Sequence, residues 1–414
     1  MKYVARCSLM AALLISAPAS LVMAEEVIVY HTWSSPAEVN ALNILHERLA
    51  AAGHTWTDVA IPHDTGSNVS LLNLIQGGNP PNVFMENDPG FYRDLRDMGL
   101  SRSLNDLFEA EGYAEHLPAA VLESLTVDGD IVKVPLGIHI DGMVYYNMEV
   151  AAAAGVDPAA WSDLEDMFAD FPAIREAGYI PVAIGAQQWQ VGYLGHTLAA
   201  SLGGADFYTA IYGETPDPAR IDSTEMRDVL SWVRRFQQEA DAGSVNRDWN
   251  ATTYTVIDGQ ALMQIHGDWM KGEWLAAGKV AGTDFGCIGI PGAAAYVVTV
   301  DNLGFLGGQS DAMDAAEMDF ARIVLDPATQ GAFAAAKGAT PPRFDAEGDL
   351  DLCSRTVEGL LQDPETQVPS TFMVTDADWN SSMRDVFFAF WSNPEMTTDE
   401  AIEMMVDNYD AILG

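Results

Sequence analysis

VIVYHTWSSPAEVNALNILHERLA, residues 27–50, is the stretch whose reading decides the fold. Val27–Tyr30 is a short apolar run rich in β-branched residues, which reads as a buried strand. It gives way to a polar loop holding His31 and Trp33, and a helical pattern begins around Ser35-Pro36 with Glu38 in its first turn. A strand that passes through a short loop into a helix is the first half of a βαβ unit. On parallel sheets of this kind, ligands bind at the carboxyl ends of the strands. Trp33 stands at such an end, in a loop expected to give an indole little cover.

The same rhythm continues outward. A second strand is expected at TDVAIPH (57–63), a helix over 66–77, and a turn followed by a short strand in NPPNVFME (79–86). FYRDLRDMG and KVPLGIHIDGMVYYN (133–147) extend the alternation. The fold class expected is therefore α/β, a mostly parallel sheet with helices on both faces. The second half begins near Tyr145. WSDLEDMFADFPAIREAG (161–178) reads as a helix capped by Ser162 and stopped by Gly178, followed by strand YIPVAIG (179–185) and a polar loop, AQQWQ. Helices dominate from 190 to 280, and AYVVTVDNLGFLG (295–307) reads as a strand pair.

The first 24 residues stand apart. Lys2 and Arg6 precede an apolar middle, and Val22-Met23-Ala24 before Glu25 forms a small-residue cleavage signal, so 1–24 reads as a secretory peptide. The competing reading is a membrane anchor, against which count the short run and Pro18. The remaining length of roughly 390 residues exceeds one core and implies two domains. No Pro/Gly/Ser-rich linker separates them, so the chain is expected to cross between them more than once.

Lys+Arg 20 against Asp+Glu 60 gives a net charge of −40, and loss of Lys2 and Arg6 takes it to −42. Such a charge argues against nucleic acid, anionic lipid and highly anionic ligands; a solvated acidic surface suited to a salty medium explains it. Cys287 and Cys353 remain after processing, and an even number in an exported chain points to a disulfide, with two buried thiols the alternative. Metal and cofactor chemistry finds no support: there is no HExxH, no GxSxG and no phosphate-binding GxxxxGK[ST].

What recurs is an aromatic residue beside oxygen-bearing side chains: Trp33 with Glu38, Gln188-Trp189-Gln190, Asp248-Trp249-Asn250 and Asp268-Trp269. A sugar ring presents an apolar C–H face to an aromatic plane and a rim of hydroxyls to acceptors and donors. Singly, each Trp is more readily a packing residue than a binding one; together they are the mix of a carbohydrate cleft. Two cleft carboxylates would also serve a glycosidase, which is the enzymatic alternative.

VxHTWxSxxE (29–38), GHTWTDVA (53–60), GNPPNVF (78–84), AGYIPVAIGAQQWQ (177–190), GGADFY (203–208), NRDWN (246–250), HGDWMKGEW (266–274), DFGCIGIPG (284–292), VDN (300–302) and KGATPPR (337–343) follow in an order that resembles the periplasmic sugar-binding proteins of ABC importers. The resemblance, closest to the glucose-type branch of the group that includes maltose-binding protein, runs from about residue 27 to 385. It implies a two-lobed type II binding-protein fold with the ligand between the lobes. The lobes expected are 25–139 with 296–338, and 140–295 with 339–414.

It also implies a monosaccharide or small sugar as ligand, membrane permease subunits as partners, a monomer, a periplasmic location and no catalysis. The ligand-binding residues expected are Trp33, Glu38, Asn87, His139, Trp249, Asp268, Trp269, Asp301 and Lys337. For Asp268 the alternative role is a helix cap, and for His139 a packed, hydrogen-bonded side chain. Thr32 stands where relatives carry a second Trp, Asn87 where they carry Lys or His, and Met373 where they carry His. These departures open two further readings, a non-sugar polyol and a compatible solute.

Overall fold

The computed structural model describes residues 24–61 and 67–414. Residues 1–23 of the expected secretory peptide, and residues 62–63 of the expected second strand, lie outside the described residues. Among the described residues, no helix is long and apolar enough to cross a membrane.

The opening stretch folds as its pattern dictates. β1 (Glu26–His31) leads into the helix Pro36–Ala51. Ser35 accepts from the Glu38 amide while the Glu38 carboxylate accepts from the Ser35 amide, a reciprocal cap that fixes where the helix starts. Ala41, Leu45 and Leu49 recur at helical spacing and are fully buried. Each such leucine contributes about 1.5–3 kcal/mol by burial, and Leu45→Ala would open a cavity at that seam.

Eleven further strands follow. They are β2 (Thr55–Ala60), β3 (Val83–Phe84), β4 (Thr126–Val127), β5 (Asp130–Ile131), β6 (Lys133–Ile140) and β7 (Met143–Asn147). Then come β8 (Ile180–Val182), β9 (Ala261–His266), β10 (Phe285–Gly289), β11 (Tyr296–Phe305) and β12 (Gln367–Pro369). β4 and β5 form a small hairpin. The others make two sheets: β12-β11-β3-β1-β2 with β6 alongside β11, and β10-β7-β9-β8. Apolar clusters lie on both faces of each sheet under helices, so each is a three-layer unit.

Both sheets are mixed; the first is still mainly parallel and the second is not. β1 runs parallel to β2 and β3, and β11 to β12, but β11 runs antiparallel to β3 and β6. In the second sheet only β8–β9 is parallel. The cause is the connectivity. β6 and β7, read together as one segment, belong to different sheets and are separated by a tight turn at Asp141-Gly142, with Gly142 at φ 82°. A turn carries no crossover helix, so it does not produce parallel neighbours. The chain returns between β10 and β11, and β12 later pairs with the first sheet although the segment 339–414 was expected in the other lobe.

Three local expectations are corrected. Residues 296–305 are one ten-residue strand with a bulge between Asp301 and Asn302, not a strand pair. The helix expected from Ser162 is two short helices, Leu164–Ala169 and Phe171–Glu176, and the cap is Asp163; Ser162 donates to Asp166 instead. The AQQWQ loop is the first turn of the long helix Gln188–Tyr212. Cys287 on β10 and Cys353 on the helix Leu352–Leu360 form a disulfide.

Candidate functional site

Trp33 is well covered. It is 4% exposed, with the Phe333 ring 5.7 Å away between centroids and the Lys337 ammonium 5.1 Å from its ring centre. The expectation of an uncovered indole is thus corrected: the helix Pro327–Lys337, remote in sequence, closes over it, and the ring still lines a cavity.

That cavity measures ≈200 Å³. Trp33, Glu38, Asn87, Trp249, Trp269, Asp301 and Lys337 line it. His139 and Asp268 do not; they stand behind Asp301 in a buried chain. Asp301 accepts from His139 Nε2 at 2.9 Å, and Asp268 accepts from His139 Nδ1 at 2.5 Å. Burial alone would lower the His139 pKa, but the two carboxylates override it and raise it to about 9, so the ring is an imidazolium at neutral pH. The packed, hydrogen-bonded reading of His139 describes its contacts, and Asp268 is no helix cap, since Trp269 takes the cap position of the next helix.

One wall comes from the first sheet and is polar. Glu38 Oε2 accepts from the Ser34 and Ser35 amides, both at 2.9 Å, leaving Oε1 3.9 Å from Lys337 Nζ. Lys337 ends its helix, which Gly338 stops in the left-handed region at φ 87°. Asn87 Oδ1 accepts from Asn302 Nδ2 at 2.8 Å. Asp301 sits at the β11 bulge, a device that re-aims a side chain. Glu86 also lines this wall. Its Oε1 accepts from the Asn87 and Asp88 amides, and its buried Oε2 has no hydrogen bond among the described residues. Burial pushes its pKa up to about 7, against the pull of those amides.

The facing wall is aromatic and comes from helix starts around the second sheet. Trp189 is in the first turn of its helix, Trp249 begins the helix Trp249–Ile257, and Trp269 precedes Met270–Ala276. Trp189, Tyr193, Trp249 and Trp269 gather round His266, with ring centres 5.4, 4.6, 6.1 and 5.2 Å from it. Gly267 makes this possible: a Cβ there would lie 2.2 Å from the Trp269 ring. Asp141, from the turn that links the sheets, and His196 meet at 3.2 Å beside this wall.

Sequence reasoning missed Glu86, Asp141, Tyr193, His196, Phe372 and Arg384, and set Trp189 aside. Tyr193 was findable as the residue one helical turn after Trp189. Nothing local marks Glu86, Asp141 or Arg384, which the tertiary fold brings in.

The comparisons with known proteins agree with this architecture. Residues 42–316 match the model of the family described as bacterial extracellular solute-binding protein. The chain belongs to that family. A relative from Rhizobium meliloti (strain 1021), called a probable sugar-binding periplasmic protein, is 30% identical over 97% of each chain. A chitin oligosaccharide binding protein superposes with TM-score 0.80 at 17% identity, covering 94% of this chain and 98% of the other. The solute receptor AcbH, whose structures are reported with an exclusive preference for β-D-galactopyranose, gives TM-score 0.77 at 15% identity, covering 94% and 100%. The fold is therefore the type II solute-binding fold, and this periplasmic solute receptor is not an enzyme.

Proposed function

We propose that this solute receptor captures one small sugar ring between the polar and aromatic walls and delivers it to the permease of an ABC importer. A cavity of ≈200 Å³ carries the reading. It lies below the roughly 300–1,000 Å³ of pockets for drug-sized ligands. So small a volume favours a monosaccharide over a chain of sugars.

Trp249 and Trp269 would lie against the C–H face of the ring, with Trp33 at its edge. Glu38, Asn87 and Asp301 would accept from hydroxyls, and Lys337 would donate to a ring or hydroxyl oxygen. His139 and Asp268 act through Asp301, holding its carboxylate in place. The lobes would be 25–139 with 296–338, to which β12 (Gln367–Pro369) adds a strand, and 140–295 with the rest of 339–414, joined at Asp141-Gly142, at 290–295 and near 338–340. Because the walls belong to different lobes, a ligand touching both stabilises the closed form.

The test is calorimetry and thermal shift of the mature chain against monosaccharides, disaccharides and polyols. A monosaccharide that binds saturably and raises the melting temperature supports the reading. Binding restricted to disaccharides or longer sugars, or to linear polyols, overturns it.

A further inference from the structure

Arg384 lines the cavity from the helix Ala377–Ser392. Its stem lies across the helix Gln188–Tyr212 at Gly192, where a Cβ would sit 2.5 Å from Arg384 Cγ. Only a residue without a side chain lets the arginine pass there, so the bare glycine sets its course to the cavity. The guanidinium ends 5.7 Å from the Phe372 ring centre, another lining residue.

Every other described arginine makes a hydrogen bond or an ion pair. Arg343, for example, holds Asp345 through two nitrogens and the Leu325 carbonyl through a third. Arg384 has neither among the described residues. The neighbouring Asp385 is hydrogen-bonded to Gln188. In a chain with 60 acidic and 20 basic residues, a partly buried arginine without a carboxylate partner stands out. Burial lowers its pKa, with Asp385 pulling the other way.

The acids of the lining are engaged elsewhere. Glu38 is held by two backbone amides and faces Lys337, and Asp301 binds His139. Asp141 is paired with His196, and Glu86 with the amides that follow it. The anion that would satisfy Arg384 is thus missing from the protein and is left for the ligand to bring. A guanidinium presents a planar fork that matches a carboxylate through two parallel hydrogen bonds. Four carboxyl-bearing residues in the lining make the site a poor host for a dianionic phosphate.

We propose that Arg384 is a specificity residue for an acidic sugar, a monosaccharide ring carrying one carboxylate, as in the uronic acids. This rests on the monosaccharide reading above.

The experiment is calorimetry at neutral pH on the full mature chain with paired probes: glucuronate against glucose, and galacturonate against galactose. At least one acid is expected to bind about 10- to 100-fold more tightly than its neutral partner, the range of a hydrogen bond to a charged group. Arg384→Gln should erase that ratio, and Arg384→Lys, which keeps the charge but not the fork, should restore part of it. Melting curves with and without sugar establish that each variant folds. Neutral sugars binding as tightly as the acids overturns the proposal while leaving the monosaccharide reading intact. So does an Arg384→Gln variant that weakens both members of a pair alike, which would make Arg384 a hydroxyl donor. Binding of a sugar phosphate in preference to the carboxylates overturns it too, and binding of no monosaccharide overturns both readings.

Discussion

On the first sheet's side of the cavity, the polar groups are held by bonds the protein makes to itself: Glu38 by two amides, Asn87 by Asn302, Asp301 by His139. On the second sheet's side, rings are held by packing around His266. The polar wall is thus directional and set before the ligand arrives, which favours discrimination among hydroxyl patterns. The aromatic wall supplies area, which favours affinity without naming a sugar. A receptor built this way separates how tightly it binds from what it binds.

The largest expected effect concerns the half that carries the rings. Replacing both Cys287 and Cys353 with Ser opens a loop of 66 residues on that side. On the chain-entropy model this costs about 4 kcal/mol. The denaturation midpoint should fall sharply while ligand affinity of the folded protein at low temperature holds; an unmoved midpoint would mean the bond adds nothing to that half.

Next is the pH response of the polar wall. The Glu86 pKa rises from 4.5 to about 7 on folding, so the folded state prefers the protonated carboxyl. Stability is then greatest below pH 4.5 and declines as pH rises to about 7, by roughly 3 kcal/mol at 1.36 kcal/mol per unit. Glu86→Gln stays neutral and should lack that decline, read as the difference in melting temperature between variant and wild type from pH 4.5 to 8. His139 acts in a later window. Its raised pKa gives stability that is full below about 6.5 and lost as pH climbs through about 9. A His139→Gln variant should flatten only that second segment.

Substituting the rings tests the aromatic side directly. Trp269→Ala is expected to weaken sugar binding by about 2 kcal/mol, roughly 30-fold, from lost stacking area. Trp269 is only half-buried, so its melting temperature should change little. Trp33→Ala is expected to lower both affinity and melting temperature, because Phe333 packs on that ring. If both variants lose affinity alone, the packing of Phe333 on Trp33 adds nothing to stability. The smallest effect is at the start of the polar wall. Ser35→Ala removes the cap that Glu38 reciprocates and should cost about 1 kcal/mol of stability, with a modest loss of affinity as Glu38 loosens.

The sequence disclosed one wall better than the other. Trp33, Glu38 and the strand–loop–helix that carries them were readable because the cap, the apolar run and the helical spacing are local signals. The mixed sheets were not readable. Parallel and antiparallel neighbours look alike along a buried strand, and KVPLGIHI followed by DG and MVYYN carries no mark that the turn changes sheets. Asp163 and Ser162 compete for one cap with equal propensity, so only the backbone of that turn decides. The aromatic residues were found by type but placed in loops, because Trp is a poor advertisement for a helix start. His139 shows the converse: an imidazole in an apolar strand looks inert until two carboxylates from distant segments close on it.

Gly267 touches no cavity space of its own, yet its missing side chain is what lets the Trp269 ring fold back to the wall. A single added methyl there would evict the indole from behind. Divergence in what such receptors carry can therefore arise at a residue that no catalogue of ligand contacts would include, and a survey of specificity confined to contact positions would overlook it.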